Sequence, residues 1–88
     1  QEIGASAFKN NFFSEPITIP DSVKRIGNEA FKNCHIQEIE IGSGIKKIGH
    51  DAFANIPDYV KIHLKDPVAW RMVSFGNASS DPFNAKHS

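Results

Sequence analysis

Cys34-His35 and His50-Asp51 are the residues of this chain whose types allow covalent catalysis. A cysteine nucleophile needs a base within hydrogen-bond reach and a third group that orients the base. Residues adjacent in an extended segment point to opposite sides, so Cys34 and His35 do not face one another. A metal could draw on His35, His50 and His63. They lack the Cys-x-x-Cys or His-x-x-x-His spacing that brings ligands to one ion. No catalytic residue, cofactor site or metal site is therefore assigned. Asn77-Ala78-Ser79 is a formal N-glycosylation acceptor, with meaning only in a secretory host that glycosylates.

The elements that position these residues are repeated. Ile3-Gly4-Ala5-Ser6-Ala7-Phe8, Ile26-Gly27-Asn28-Glu29-Ala30-Phe31 and Ile48-Gly49-His50-Asp51-Ala52-Phe53 share Ile, Gly, Ala and Phe at fixed places. The copies start 23 and 22 residues apart. A period in that range is the mark of a stacked-repeat architecture, in which no unit buries its apolar face alone. Val23 and Ile45 stand three residues before the second and third boxes. Asn10, Asn33 and Asn55 stand two residues after each phenylalanine. Each box glycine is expected to supply either φ > 0 or close coil-to-coil approach. Each asparagine is expected to bond backbone groups that a bend leaves unpaired. Cys34 stands where the other two copies carry Asn11 and Ile56, and it is expected to be buried and inert.

Between the boxes, Ile17-Thr18-Ile19, Ile39-Glu40-Ile41 and Val60-Lys61-Ile62-His63-Leu64 alternate apolar and polar residues, as half-buried strands do. Pro20-Asp21-Ser22 and Gly42-Ser43-Gly44 end the first two. After Asp66-Pro67 the pattern stops. Asp66 is expected to cap a short helix with Pro67 at its first position. Val68, Met72 and Trp70 would then cover the last coil, with Phe75 and Phe83 extending the lid. Residues 76–82 read as a loop, and Lys86-His87-Ser88 are expected to fray. The chain thus divides into coils over residues 1–64, about three with the first truncated, and a C-terminal cap and tail over 65–88.

Composition narrows the function classes. With 88 residues the chain is one small domain. Ten Lys and Arg balance ten Asp and Glu, and neither sign forms a block along the sequence. Nucleic-acid binding is therefore not expected. No apolar run reaches the roughly 18 residues that span a bilayer, so membrane insertion is not expected either. A single cysteine excludes an internal disulfide framework. The chain opens on Gln and carries no signal peptide, which points to a mature product or an excised piece.

The stretch from Ile17 to Cys34 resembles the BspA-type leucine-rich repeats of bacterial and protozoan surface proteins. Their repeat reads roughly Ile-x-Ile-Pro-x-x-Val-x-x-Ile-Gly-x-x-Ala-Phe-x-x-Cys, and this stretch matches every fixed position. The resemblance covers about residues 3–64. Gly42 departs from it at the strand-ending proline, and Asn11 and Ile56 depart at the cysteine. It implies an α/β-type solenoid: a short right-handed stack with a small parallel sheet on the concave side and an irregular or short-helical convex side. It also implies extracellular or cell-surface display and an adhesive role toward a protein or host-surface ligand. No catalytic residue is carried over. The rival expectation is a structural cap or spacer of a larger protein.

Two surfaces follow. The outward residues of the three strands are Thr18, Glu40, and Lys61 or His63 according to register. Three strands about 4.8 Å apart and about 15 Å long present on the order of 200 Å². A standard interface takes roughly 800 Å² per partner, so this face would work as part of a longer array. At the other extreme, Ile3, Phe8, Ile17 and Ile19 of the first coil form an expected open edge, suited to a homodimer. Phe12-Phe13 is expected to pack under the convex loop, the alternative being one ring in the core and the other outside.

Overall fold

Strand formation in this chain is a consequence of stacking, because most strands are too short to be stable alone. A computed structural model describes residues 2–57 and 59–85. Among them are β1 (Glu2–Ile3), β2 (Ile17–Ile19), β3 (Arg25–Ile26), β4 (Glu38–Ile41), β5 (Lys47–Ile48), β6 (Lys61–Leu64) and β7 (Ser74–Phe75). They make a small parallel β-solenoid of about three turns with almost no helix. Two sheets form, in the orders β1-β3-β5-β7 and β2-β4-β6. Ile3, Ile26, Ile48 and Phe75 align in the first, and Ile17 with Ile39 and Ile62 in the second. Sequence reading anticipates only the second sheet. Strands of two residues show no alternation along the chain and become visible only through their neighbours above and below.

The boxes fold as tight turns rather than helix. In the first coil the N–H groups of Ala7, Lys9 and Asn11 donate to the carbonyls three residues back. The intervening N–H groups of Ser6, Phe8 and Asn10 donate across to the Asn28, Ala30 and Lys32 carbonyls at 2.8–2.9 Å. Half the donors therefore stay within a coil and half tie it to the next, which is why no α-helix forms here. The second coil repeats the scheme toward His50, Ala52 and Ala54.

The left-handed residues are not the glycines. Positive φ occurs at Ser6, Asn10, Glu29, Asn33, Asp51 and Asn55, and at no glycine among the described residues. Asn and Asp tolerate that region because their short polar side chains bond locally. Glycine is required for the other reason considered, close approach: a Cβ on Gly27 would lie 2.5 Å from the Ala5 nitrogen. The asparagines also act differently from expectation. Asn33 donates its side-chain amide to Asn10 Oδ1 at 2.9 Å, and Asn55 to Asn33 Oδ1 at 2.8 Å. The result is a ladder of side chains rather than bonds to the backbone.

The core runs along the solenoid axis. Ile26 and Ile48 are buried beside Phe31 and Phe53, whose rings stack at 5.2 Å with Phe8 next in line at 5.3 Å. Cys34 is buried among them.

Past Leu64 the repeat does not stop. α1 (Pro67–Trp70) is capped as expected, with the Asp66 carboxylate accepting from the Ala69 N–H at 3.1 Å. Its lid is different from the one expected. Val68 and Met72 are 72% and 81% exposed, while Val73 is buried and Trp70 packs edge-on to Phe75 and Phe83. Past Trp70 the chain leaves the helix in tight turns, the N–H groups of Arg71, Met72 and Val73 each donating three residues back. Val73 turns inward as the chain delivers Ser74 and Phe75 into the sheet as β7. Gly76 then takes the place of Gly49, and the Ser79 carbonyl accepts from the Phe53 N–H at 3.3 Å. A partial fourth box, Phe75-Gly76-Asn77-Ala78-Ser79, closes the third coil. It escapes notice in the sequence because Phe and Ser replace the Ile and Ala of the repeat. α2 (Pro82–Ala85) follows, and residues 86–88, expected to fray, lie outside the described residues.

Candidate functional site

Coil contacts engage each member of the pair that could have formed a nucleophile and base. Cys34 is 1% exposed, its thiol donates to the Phe8 carbonyl at 2.8 Å, and burial pushes its pKa up. A raised pKa keeps the thiol protonated, the unreactive form. His35 lies at the surface with its ring stacked on Phe12 at 5.4 Å. His50 gives its N–H to Asn28 Oδ1, and Asp51 exchanges two hydrogen bonds with the Asn77 amide. Among the described residues no three of His, Cys, Asp and Glu gather as a metal would require. Asn77 also accepts from the Ser80 hydroxyl at 2.9 Å, so the amide of the formal glycosylation triplet is held by the fold.

The outward face of β2-β4-β6 is set by register. Thr18, Glu40 and His63 form one row, and Glu38 and Lys61 form the next. Lys61 and His63 are two residues apart and both point outward, so the face holds both rather than one of them. His63 Nε2 meets Glu38 Oε2 at 2.7 Å on the diagonal. Beyond the strand ends, Lys65 reaches Asp21 at 2.7 Å. The Lys65 ammonium, then the Ser43 N–H, hold the Asp21 carboxyl below its usual range, and Asp21 in turn raises Lys65. Glu38, Asp21 and Lys65 were not singled out from the sequence. Alternation with Glu40 contains the signal for Glu38. The Asp21–Lys65 pair spans 44 residues and leaves no local trace.

On the opposite, first-coil side, Ile3 and Ile17 are partly buried and Phe8 is 36% exposed. Ile19 is wholly buried, so its side chain is not offered at that edge. Phe12 and Phe13 part company. Phe13 packs edge-on to Phe8 at 5.8 Å, and Phe12 is 73% exposed. The expectation of both rings under the loop does not hold, and the alternative of one ring in and one out does. The Phe12–His35 bridge aligns Phe12 with an exposed position of the next coil, and this holds its ring at the surface.

Glu29, a left-handed residue, is flanked by Lys9 at 3.0 Å and Lys32 at 3.5 Å. Lys9 first, then Lys32, lower its pKa. The two cations pair with Glu29 at the polar edge of the box turn.

Compared with protein families, the chain matches the BspA type leucine rich repeat region, described as six copies, over residues 1–79. The comparisons with curated proteins and with solved structures found no match.

Proposed function

The chain belongs to the BspA-type leucine-rich repeat family, and we propose that it is a non-catalytic protein-interaction module of a secreted or cell-surface protein, bacterial in origin, with an adhesive role. The observation that carries this reading is the outward face of β2-β4-β6. Thr18, Glu38, Glu40, Lys61 and His63 stand in register there, and none is needed in the core. The face covers a few hundred Å² at most, below a standard interface, so it serves as one part of a longer array. Closure of the third coil by Asn77 and Ser79 supports a place at the C-terminal end of such an array.

Beads coated with the chain should be retained on a cultured cell layer. Retention should fall when cell-surface proteins are trimmed with trypsin, and when Glu38 and Glu40 are both replaced by Ala. Retention that survives both changes would overturn the reading, because neither a protein partner nor this face would be involved.

A further inference from the structure

Lys24-Arg25 and Lys46-Lys47 are 22 residues apart in the sequence, and the coils lay one pair on the other. Arg25 stands opposite Lys47 in the β1-β3-β5-β7 sheet, and the Lys46 N–H donates to the Lys24 carbonyl at 2.7 Å. All four side chains are exposed, and among the described residues none of them forms an ion pair. Like charges directly opposite on neighbouring strands are destabilising. The other sheet of the same molecule avoids that arrangement by setting Glu38 against Lys61 and Glu40 beside His63. A neutral chain has therefore been sorted into one face of mixed charge and one that carries these four cations, with Glu2 in register with Arg25 at its first-coil edge.

The cationic face borders an open groove of about 220 Å³, lined by Arg25, Gly27, Asn28, Lys47 and Gly49, with Glu2 at its first-coil end. Gly27 and Gly49 in its floor are packed against the neighbouring coil, so the polar groups it offers are side chains. Asn28 uses its Oδ1 to accept from His50 N–H, and its amide nitrogen has no partner among the described residues. No aromatic ring lines the groove, so it has no platform for stacking bases. Its apolar lining is Ala5 and the buried Ile26, too little to enter a membrane.

We propose that this face binds a sulfated polysaccharide, laid along the solenoid axis. The cations repeat one pair per coil, about 4.8 Å apart, which suits a linear polyanion. Sulfates lie against Arg25, Lys47, Lys24 and Lys46, and the Asn28 amide donates to a ring hydroxyl or sulfate. Glu2 repels the chain at β1 and directs it toward β5 and Ser74, the residue in register with Lys47. This site is separate from the β2-β4-β6 face, so its failure leaves the protein-interaction reading standing.

Immobilised heparin is the probe. The protein should be retained at low salt and released as salt rises, since counterion release governs such binding. The K24Q/R25Q/K46Q/K47Q variant should bind about tenfold or more weakly, as expected for the loss of four exposed ionic contacts. K61Q, on the other sheet, should bind as the parent does, and desulfated heparin should not bind. Without ligand the fourfold variant should melt within a few degrees of the parent, because it removes the Arg25–Lys47 like-charge opposition and the Glu2–Arg25 opposite-charge register together. If it melts lower, R25Q/K47Q alone tests the row. Equal retention of parent and patch variants would overturn the proposal. So would duplex DNA that competes as well as heparin at equal charge, which would make the face a general polyanion or nucleic-acid surface.

Discussion

Removing the ring of Phe31 should cost more stability than removing that of Phe8, although the two occupy the same place in consecutive boxes. Phe31 is 1% exposed and lies between two rings, Phe8 at 5.3 Å and 16° and Phe53 at 5.2 Å and 5°. Truncation of a buried Phe to Ala costs about 3–5 kcal/mol, part of it lost transfer energy and part the cavity left behind. The cavity here is closed above and below by stacked coils, which cannot collapse without breaking their cross-coil hydrogen bonds. A chain of 88 residues has in total about 4–13 kcal/mol at the usual 0.05–0.15 kcal/mol per residue. Phe31→Ala should therefore lower Tm by about 12–40 °C, or leave the chain unfolded at room temperature. Phe8 is already 36% exposed and stacks on one box ring, with Phe13 at its edge. Its truncation should cost about half as much, roughly 1.5–2.5 kcal/mol. Thermal melts followed by circular dichroism, with urea unfolding to fix the free energies, compare the two. A Phe8→Ala variant as unstable as Phe31→Ala would refute the argument, because it would mean that the first coil carries as much of the core as the second.

Four further outcomes are expected. Native protein should react with a thiol reagent much more slowly than free cysteine does, because Cys34 is buried and its pKa is raised; labelling at the rate of a free thiol would place the side chain outside. Gly27→Ala should destabilise by about 1–3 kcal/mol or more, since its Cβ would meet Ala5 backbone, whereas Gly4→Ala, with nothing within 4 Å, should be near neutral; paired melts decide, and equal losses would reject the close-approach account. Asp21 has its pKa lowered, so its pairing with Lys65 stabilises above the usual 3.8 and is lost as pH falls through the folded value; urea midpoints should drop less on acidification in Asp21→Asn than in the parent. The raised Lys65 contributes the opposite limb, lost only above 10.5, so neutral pH should show no change from it. Self-association through the first coil, whose strand β2 is an edge, should weaken in Thr18→Lys; sedimentation that shows a monomer at every concentration would dismiss that contact.

The repeat itself was legible in the sequence because stacking demands it. A coil can pair with its neighbours only if equivalent residues return at a constant interval. The 22- and 23-residue spacing of the Ile-Gly-x-x-Ala-Phe boxes therefore implies a solenoid and an axial core of Phe and Ile. Alternation in Ile17–Ile19 and Glu38–Ile41 likewise shows which side chains turn outward, since the strand period is two. The glycines were half legible. Their recurrence marks a constraint, but close approach and positive φ give the same sequence signal, and only the contact of Gly27 with Ala5 separates them.

What only the tertiary structure decided are relations between coils that leave no mark within one. The two-residue strands β3 and β5 have no period to detect, yet their pairing creates a second sheet. Phe75-Gly76 reads as loop until β7 is seen beside β5. The even distribution of charge along the chain gives no hint of a charged surface. Coiling converts a separation of 22 residues into one strand spacing, so Lys24-Arg25 and Lys46-Lys47 stack beside one another, bordered by Glu2, while Glu38 and Glu40 go to the other sheet. Linear sequence records each coil's own alternation, but the stacking axis runs perpendicular to the chain, and surface charge is organised along that axis.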